Sequence, residues 1–267
     1  MKNKIKMNVL SFFVLTFSDM SRKMKIHSFF LIQEMRFQED RRINRMPKVT
    51  EEYIQNKKNK IMDAAYSVCL RKTVSTVTMQ DIINETGLSQ GGIYRFYKDI
   101  DDIIGDMLLH LRKKENIKDK VDVILSRASE LPPKEITNQI FEMLADFMTR
   151  ELTGIEKIDF ELSVLAMNHP ERVDKILARI PDMGNMEYLT VRTMEYFVEQ
   201  VKTGRIHPRV EVEELLSFIS SAYTGIQTIC IVNNCYQHER NPLTAYYQPD
   251  IQLKTLAKTV NYLMGEE

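Results

Sequence analysis

The stretch from Thr78 to Tyr97 constrains the fold most, because it reads as two short helices joined by a tight turn. In TMQDIINETGLSQGGIYRFY, apolar residues recur at helical spacing on both sides of a central Thr-Gly-Leu-Ser break. Thr78 and Ser89 are suited to cap the two helices, and Gly87 can adopt the left-handed conformation that ends the first. The stretch therefore predicts a helix-turn-helix.

The second of these helices carries side chains that suit DNA. Gly91 and Gly92 lie in its first turn, where each glycine costs about 1 kcal/mol relative to alanine. Close approach of the backbone to a large partner is a reason to accept that cost. Gln90 can contact a base edge or a phosphate, and Tyr94 can reach a phosphate. An ordinary solvated helical hairpin fits the same pattern. The expected DNA contacts are Thr78, Ser89, Gln90, Gly91, Gly92, Tyr94, Arg95, Tyr97 and Lys98.

Three ordered segments carry a family resemblance: Ile61–Ala65, Thr78–Ile82 and Gly87–Tyr97. They are similar to the first helix, the start of the second helix and the recognition helix of TetR-family transcriptional regulators. Residues from about 59 to 104 thus resemble the DNA-binding domain of that family. The chain departs from the family at Thr73, where a glycine is frequent, and at Ile100, where a lysine usually meets a phosphate. Lys98 is the candidate for that contact here.

No segment shows strand periodicity of useful length, so we expect an all-α chain. Helices are predicted over about 50–70, 78–86, 89–97, 100–127, 134–152, 155–168, 169–201 with a break near 181–184, 210–232 and 250–264. The expected organisation is an extension over 1–45, a three-helix DNA-binding domain over 46–105, and a larger helical effector-binding and dimerisation domain over 106–267. Residues 1–45 hold 10 Lys and Arg against 4 Asp and Glu, whereas residues 121–267 hold 14 against 22. A basic head on an acidic body fits a DNA-binding protein, although ordinary fluctuation gives the same pattern.

The first 45 residues contain an apolar run from Val9 to Phe17, preceded by three lysines. No small-residue cleavage site follows, and the run is too short to span a bilayer as a helix. Met46 opens a segment that reads like a natural start, so we expect translation to begin there. A membrane-surface anchor is the alternative, because basic and aromatic residues suit an interface.

The sequence offers no catalytic motif. Its three cysteines are scattered without a CxxC pair, which argues against a disulfide framework or a zinc site and favours a reducing cytosol. Its five histidines do not have metal-ligand spacing, and no phosphate loop or nucleophile elbow occurs. We therefore expect neither an enzyme nor a cofactor.

The resemblance implies how the rest of the chain works. In TetR-family proteins the helical body binds a small effector and dimerises through its last two long helices. The expected dimer stripe is Leu215, Ile219, Ala222, Ile226 and Ile229. The same helix is also expected to contribute to the intramolecular core, since a helix this apolar can have two buried faces. Candidate pocket residues are Phe141, Met148, Phe160, Met167, Tyr188, Met194 and Phe197, although such stripes are more often core. The expected protein is a cytoplasmic homodimeric repressor that binds a palindromic operator and is released by a small molecule. The alternative is a helical sensor or adaptor that has lost DNA binding.

Overall fold

The computed structural model describes residues 50–180, 184–236 and 246–266. They confirm the all-α prediction, because no strand occurs within these ranges. The helices are α1 Glu51–Arg71, a 3-10 turn Val74–Thr76, α2 Met79–Thr86, α3 Gln90–Tyr94, α4 Ile100–Lys114, α5 Lys118–Ser126, α6 Pro133–Glu151, α7 Ile155–Asn168, α8 Pro170–Leu177, α9 Asn185–Lys202, α10 Val212–Ile231, a π-helical turn Val232–Tyr236, and α11 Pro249–Leu263.

The chain divides into two compact units, Met1–Asn59 and Lys60–Glu267, and the boundary falls inside α1. Of the first unit, the structure describes the opening turns of α1, where the Thr50 hydroxyl accepts the backbone N–H of Tyr53 at 3.2 Å. The expected extension over 1–45 and the expected start at Met46 lie outside the described residues. The domain boundaries at 45 and 105 stay predictions.

The helix-turn-helix of the second unit is built on apolar residues at helical spacing. Ile61, Ala65 and Val68 form the buried face of α1 within this unit, while Ile82 of α2 and Ile93 of α3 are fully buried. These side chains belong to one hydrophobic cluster that continues into the later helices. Burying such a side chain contributes about 1.5–3 kcal/mol, so this apolar face holds the short α3 in place.

The predicted helix over 100–127 is wrong in one respect, because the structure divides it into α4 and α5. The chain leaves helical geometry at Glu115, with φ −98° and ψ 47°. The Asn116 side chain then accepts the backbone N–H of Lys118 at 2.9 Å, a local bond that competes with helix continuation. Ile117 turns into the core at the same point.

The remaining helices form the body, and their predicted bounds agree with the structure to within a few residues. α6 packs along α11, α10 packs against α11 and α7, α5 packs against α9, and α4 packs against α8. The expected break between 181 and 184 lies mostly outside the described residues. The segment over residues 212–236 is long and apolar enough to cross a membrane, judged by length and composition alone. Of its most apolar window, 22% is buried within the protein.

Candidate nucleic-acid interface

A capping box fixes the start of α2. The backbone N–H of Asp81 donates to the Thr78 hydroxyl at 3.3 Å, and the backbone N–H of Thr78 donates to the Asp81 carboxylate at 2.9 Å. The Thr78 hydroxyl also donates to that carboxylate, and Lys72 lies 2.8 Å from it. The hydrogen bonds from Lys72 and Thr78 lower the pKa of Asp81 to about 2. Thr78 therefore acts as the cap, and its side-chain donor is already engaged.

The turn has the predicted chemistry. Gly87 adopts φ 64°, the left-handed conformation that residues with a Cβ rarely take. The backbone N–H of Leu88 donates to Thr86 at 3.1 Å, and Ser89 accepts the backbone N–H of Gly92 at 3.2 Å as the cap of α3. The angle between α2 and α3 is thus fixed by local hydrogen bonds together with the buried apolar face.

The outer face of α3 is free of intramolecular packing. Ser89, Gln90, Gly91, Tyr94 and Arg95 are exposed, and Lys98 beyond the helix is exposed too. A Cβ at Gly91 would meet nothing within 4 Å, so nothing within the described chain requires glycine there. A Cβ at Gly92 would lie 3.2 Å from the Ser89 hydroxyl, so Gly92 serves the cap. Gly91 is the position that points to an external partner.

Tyr97 is a correction to the expected DNA contacts. Its side chain is 2% exposed and belongs to the core, so it is not available to a phosphate. Burial, followed by the nearby Asp106 carboxylate, raises the pKa of its phenol. Tyr97 lies four residues after the buried Ile93, and this helical spacing is the sequence signal that could have shown it facing inward.

Ion pairs that sequence reasoning missed hold the start of α4. Asp99 caps that helix, accepting the backbone N–H of Asp102 at 3.1 Å. From α8, Lys175 lies 2.5 Å from Asp99 and Arg172 lies 2.8 Å from Asp101. Just after α8, Arg179 lies 3.0 Å from Asp102 and 2.7 Å from Asp106. The available sequence signal was the three-to-four-residue spacing of Arg172, Lys175 and Arg179. The pairing neutralises the carboxylates at the start of α4.

Ile100 occupies the position where the resembled family usually has a lysine. It is half-buried and packs against the core. Lys98 precedes it by two residues and is exposed. The chain therefore offers a cation at the carboxyl-terminal end of the α3 segment, displaced by two positions from the family pattern.

The expected pocket residues differ widely in exposure, and their role in a pocket stays a prediction. Phe141, Met148 and Phe197 are buried in the core, whereas Met167 is exposed. Phe160 is half-buried, with its ring 6.2 Å from that of Tyr236. The remaining two are partly buried on α9; Tyr188 donates to Asp122 at 2.7 Å, and Met194 has no described polar partner.

The expected dimer stripe faces the interior of the protomer. Leu215 is buried, and Ile219, Ala222, Ile226 and Ile229 are half-buried against the core. A different face of α10 is exposed, formed by Ser217, Phe218, Ser221, Thr224 and Gly225. A Cβ at Gly225 would meet nothing within 4 Å. This burial fits the expected contribution of the stripe to the intramolecular core, and its role in a dimer stays a prediction.

Known proteins match this geometry in fold and, over a short stretch, in sequence. No family model matches the chain. The uncharacterised HTH-type transcriptional regulator YfiR of Bacillus subtilis (strain 168) is 35% identical over 57 residues, which are 21% of this chain and 28% of that relative. A crystal structure from Mesorhizobium loti, described as a TetR-family transcriptional regulator, aligns with TM-score 0.51 and 13% identity over 78% of this chain and 96% of the other. A TetR transcription regulator from Haloarcula marismortui aligns with TM-score 0.53 and 16% identity, covering 79% and 97%. At such identities the structural likeness shows a shared fold.

Proposed function

We propose that this chain, which has the fold of TetR-family transcriptional regulators, is a DNA-binding transcriptional regulator that reads DNA through α3. The observation that carries the proposal is Gly91. It lies on an exposed helix face where glycine costs about 1 kcal/mol and no neighbour in the described chain requires it. Approach of the α3 backbone to a base pair or phosphate supplies the missing reason.

The exposed side chains divide into two proposed groups. Gln90 and the backbone at Gly91 face base edges in the major groove, where a bidentate amide contact distinguishes adenine. Tyr94, Arg95 and Lys98 face phosphates, which position the protein without reading sequence. Among the described residues, the Ser89 hydroxyl oxygen accepts the backbone N–H of Gly92 in the cap. Its own O–H can therefore donate to a phosphate as well.

We further propose a homodimer built on the exposed face of α10 and the neighbouring face of α11. Phe218, Ser221 and Gly225 lie on one side of α10, and Ile251 and Tyr262 are exposed on α11. Small residues let two helices approach closely, and Gly225 is a second glycine that the protomer itself does not require. A two-fold dimer would cover this exposed face of α10 and present two copies of α3, so its operator would be a near-palindrome.

We also propose that the chain is a cytoplasmic repressor, which a small-molecule effector releases from DNA. Residues 121–267 hold 14 Lys and Arg against 22 Asp and Glu, and this net negative charge disfavours DNA contact by that part of the body. An effector site in the body would then act on DNA binding from a distance, which requires different affinities for the effector in the DNA-bound and free states.

A mobility-shift assay on the DNA upstream of the chain's own gene tests the proposal. The full chain should retard this duplex in preference to a scrambled duplex of the same composition. Equal or absent retardation of both would favour a helical sensor or adaptor that does not bind DNA. A membrane location for the full chain on cell fractionation would contradict the proposed dimer role of α10.

A further inference from the structure

A buried ion pair on α7 contacts the segment that connects α1 to α2. Lys157 and Glu161 lie one helical turn apart, with 2.8 Å between the ammonium nitrogen and a carboxylate oxygen. The two residues are 7% and 8% exposed. Taking two charges out of water is costly unless further polar contacts compensate both ions. The compensating groups lie outside α7, so they show what the pair holds in place.

Two of these groups belong to the backbone between α1 and α2. Lys157 donates to the carbonyl oxygen of Cys69 at 2.9 Å, near the end of α1. The backbone N–H of Val74, the first residue of the 3-10 turn, donates to the second carboxylate oxygen of Glu161 at 2.7 Å. Both backbone groups lie at helix ends, where partners within the helix are lacking. The ion pair therefore holds the backbone on both sides of residues 70–73.

The held segment leads directly into the helix-turn-helix. Thr78, the cap of α2, follows Val74 by four positions. Val74, Ile82 of α2 and Ile93 of α3 are all fully buried in one hydrophobic cluster. A close-packed cluster transmits displacement from one element to the next. A shift of the backbone at Val74 would therefore move α2 and, through the core, α3.

A third contact joins the same carboxylate to α10. Tyr236 lies in the π-helical turn that follows α10, and its hydroxyl donates to the Glu161 oxygen that pairs with Lys157. The Lys157 ammonium also lies 5.8 Å from the centroid of the Tyr236 ring. Hydrogen bonds to an ionised acceptor are stronger than those between neutral groups. One side chain of α7 thus links the end of α10 to the backbone of the helix-turn-helix.

We propose that Lys157 and Glu161 are positioning residues for DNA binding, and that Tyr236 makes the position of α3 depend on the end of α10. This inference rests on the proposed function and its homodimer. Because α10 forms the proposed contact between protomers, the link would fix the distance between the two copies of α3. A dimer with a fixed distance accepts one half-site spacing. A dimer with a loosened link accepts other spacings as well.

Tyr236→Phe breaks the link at α10 and leaves the rest of the network in place. The phenylalanine ring keeps the contact with Lys157, and Glu161 keeps its ion pair, so the protein should fold. Tyr246→Phe is the matched control, because it removes the hydroxyl of an exposed tyrosine.

Val74→Pro breaks the link at the helix-turn-helix. Proline lacks the N–H that Glu161 accepts, and it is tolerated in the first turn of a helix. Thr73 has ψ 140°, the extended conformation that suits a residue before proline. The link can thus be cut from either end.

Hydrogen exchange measured by mass spectrometry tests the link on the full chain without DNA. In Tyr236→Phe, the amides of residues 72–97 should exchange about threefold faster or more, because the carboxylate that holds the turn loses one of its fixed points. Residues 118–126 of α5 should exchange as in the parent, and Tyr246→Phe should match the parent throughout. Parent-like exchange over 72–97 in Tyr236→Phe would overturn the inference.

Fluorescence anisotropy with duplexes of altered half-site spacing tests the positioning role. The probes are the upstream duplex and the same duplex with one or two base pairs inserted at the centre of its palindrome. The parent should bind the lengthened duplexes at least about tenfold more weakly. This ratio should fall about threefold or more in Tyr236→Phe and in Val74→Pro, and no further in the double variant, since both changes cut one link. A general loss of stability would weaken binding to all duplexes alike, so an unchanged ratio would overturn the positioning role.

The two measurements separate this inference from the proposed function. If Tyr236→Phe speeds exchange over 72–97 but the parent binds no DNA, the link from α10 to the helix-turn-helix stands. The regulator proposal, and with it the positioning role in DNA binding, then fails. If the parent binds the upstream duplex and exchange in Tyr236→Phe is unchanged, the regulator proposal stands and this inference is wrong.

Discussion

The helical glycines are of two kinds: packing within the protein requires glycine at one position, whereas at two others no neighbour requires it. A Cβ at Gly105 would lie 2.7 Å from the Arg179 side chain and 2.8 Å from a backbone oxygen, so helix packing requires that glycine. Gly91 and Gly225 also lie in helices, but a Cβ at either would meet nothing within 4 Å. Each costs about 1 kcal/mol of helix stability without internal compensation. They are therefore the positions where we expect a partner to approach the backbone.

Gly91→Leu should abolish specific DNA binding and leave the fold intact. The added side chain projects into open space, so the free energy of unfolding should stay equal or rise by up to about 1 kcal/mol. Thermal unfolding and anisotropy with the upstream duplex measure the two effects. Gly91→Ala should show a graded loss. Gly92 is a poorer test, because its substitution disturbs the Ser89 cap as well. Parent-like DNA binding by Gly91→Leu would show that α3 is not the reading helix.

Gln90→Ala and Lys98→Ala should respond differently to DNA sequence and salt. Loss of a bidentate base contact should cost about 1–3 kcal/mol on the specific duplex and little on a scrambled one. Loss of a phosphate contact should weaken binding to both duplexes and lower the salt slope by about one unit per half-site. Titrations of both variants across a salt series decide the assignment. If the two variants have the same profile, the proposed division of roles is wrong.

For whole elements, local chemistry was predictable and long-range packing was not. Thr78, Gly87 and Ser89 act as the sequence predicts, because caps and left-handed turns depend on neighbours within four residues. The break at Glu115 was missed, since it depends on Ile117 reaching a core formed by distant helices. The ion pairs that link the start of α4 to α8 and to Arg179 just after it join residues more than 70 positions apart, and the sequence shows only the matching spacing of their charges.

Residues of the candidate sites follow the same division. The exposed residues of α3 follow from one helical turn and a resemblance, whereas the inward direction of Tyr97 is indicated by its four-residue spacing from Ile93, a signal that the list of expected DNA contacts did not use. The apolar stripe of α10 packs against the core as expected, and its role in a dimer stays a prediction. Apolarity marks a face for burial without naming the surface that buries it, and here α7 and α11 pack against that helix.

The capping box of α2 should give a pH-dependent contribution to stability. The folded-state pKa of Asp81 is lowered to about 2, below its unfolded value of about 3.9. Its contribution is therefore present above the unfolded pKa and is lost as pH falls through the folded pKa. The Tm difference between the parent and Asp81→Asn should be constant above about pH 5 and shrink towards pH 2. A difference that is independent of pH would show that the carboxylate charge does not stabilise the cap.

For the whole molecule, two-fold symmetry would link the two unexplained glycines. If the exposed face of α10 pairs with its own copy, residues near the axis meet themselves, so any added bulk clashes twice. The same symmetry places two α3 helices on one face of a duplex, which single copies cannot do. A mutation in α3 should then abolish specific DNA binding and leave the dimer intact. A mutation that breaks the dimer should also weaken specific DNA binding.

Gly225→Leu should convert the dimer to a monomer while leaving the protomer folded. The side chain enters open space within the protomer, whereas overpacking at the interface costs about 1–3 kcal/mol for each of the two symmetric copies. Sedimentation analysis at micromolar concentration should show a monomer, and binding to a palindromic duplex should fall to the level of a single half-site. Gly91→Leu is the matched control: it places the same side chain on an exposed helix face, and it should remain dimeric while losing DNA. A dimeric Gly225→Leu protein would contradict the proposed interface, and loss of the dimer in Gly91→Leu would show that α3 contributes to association instead.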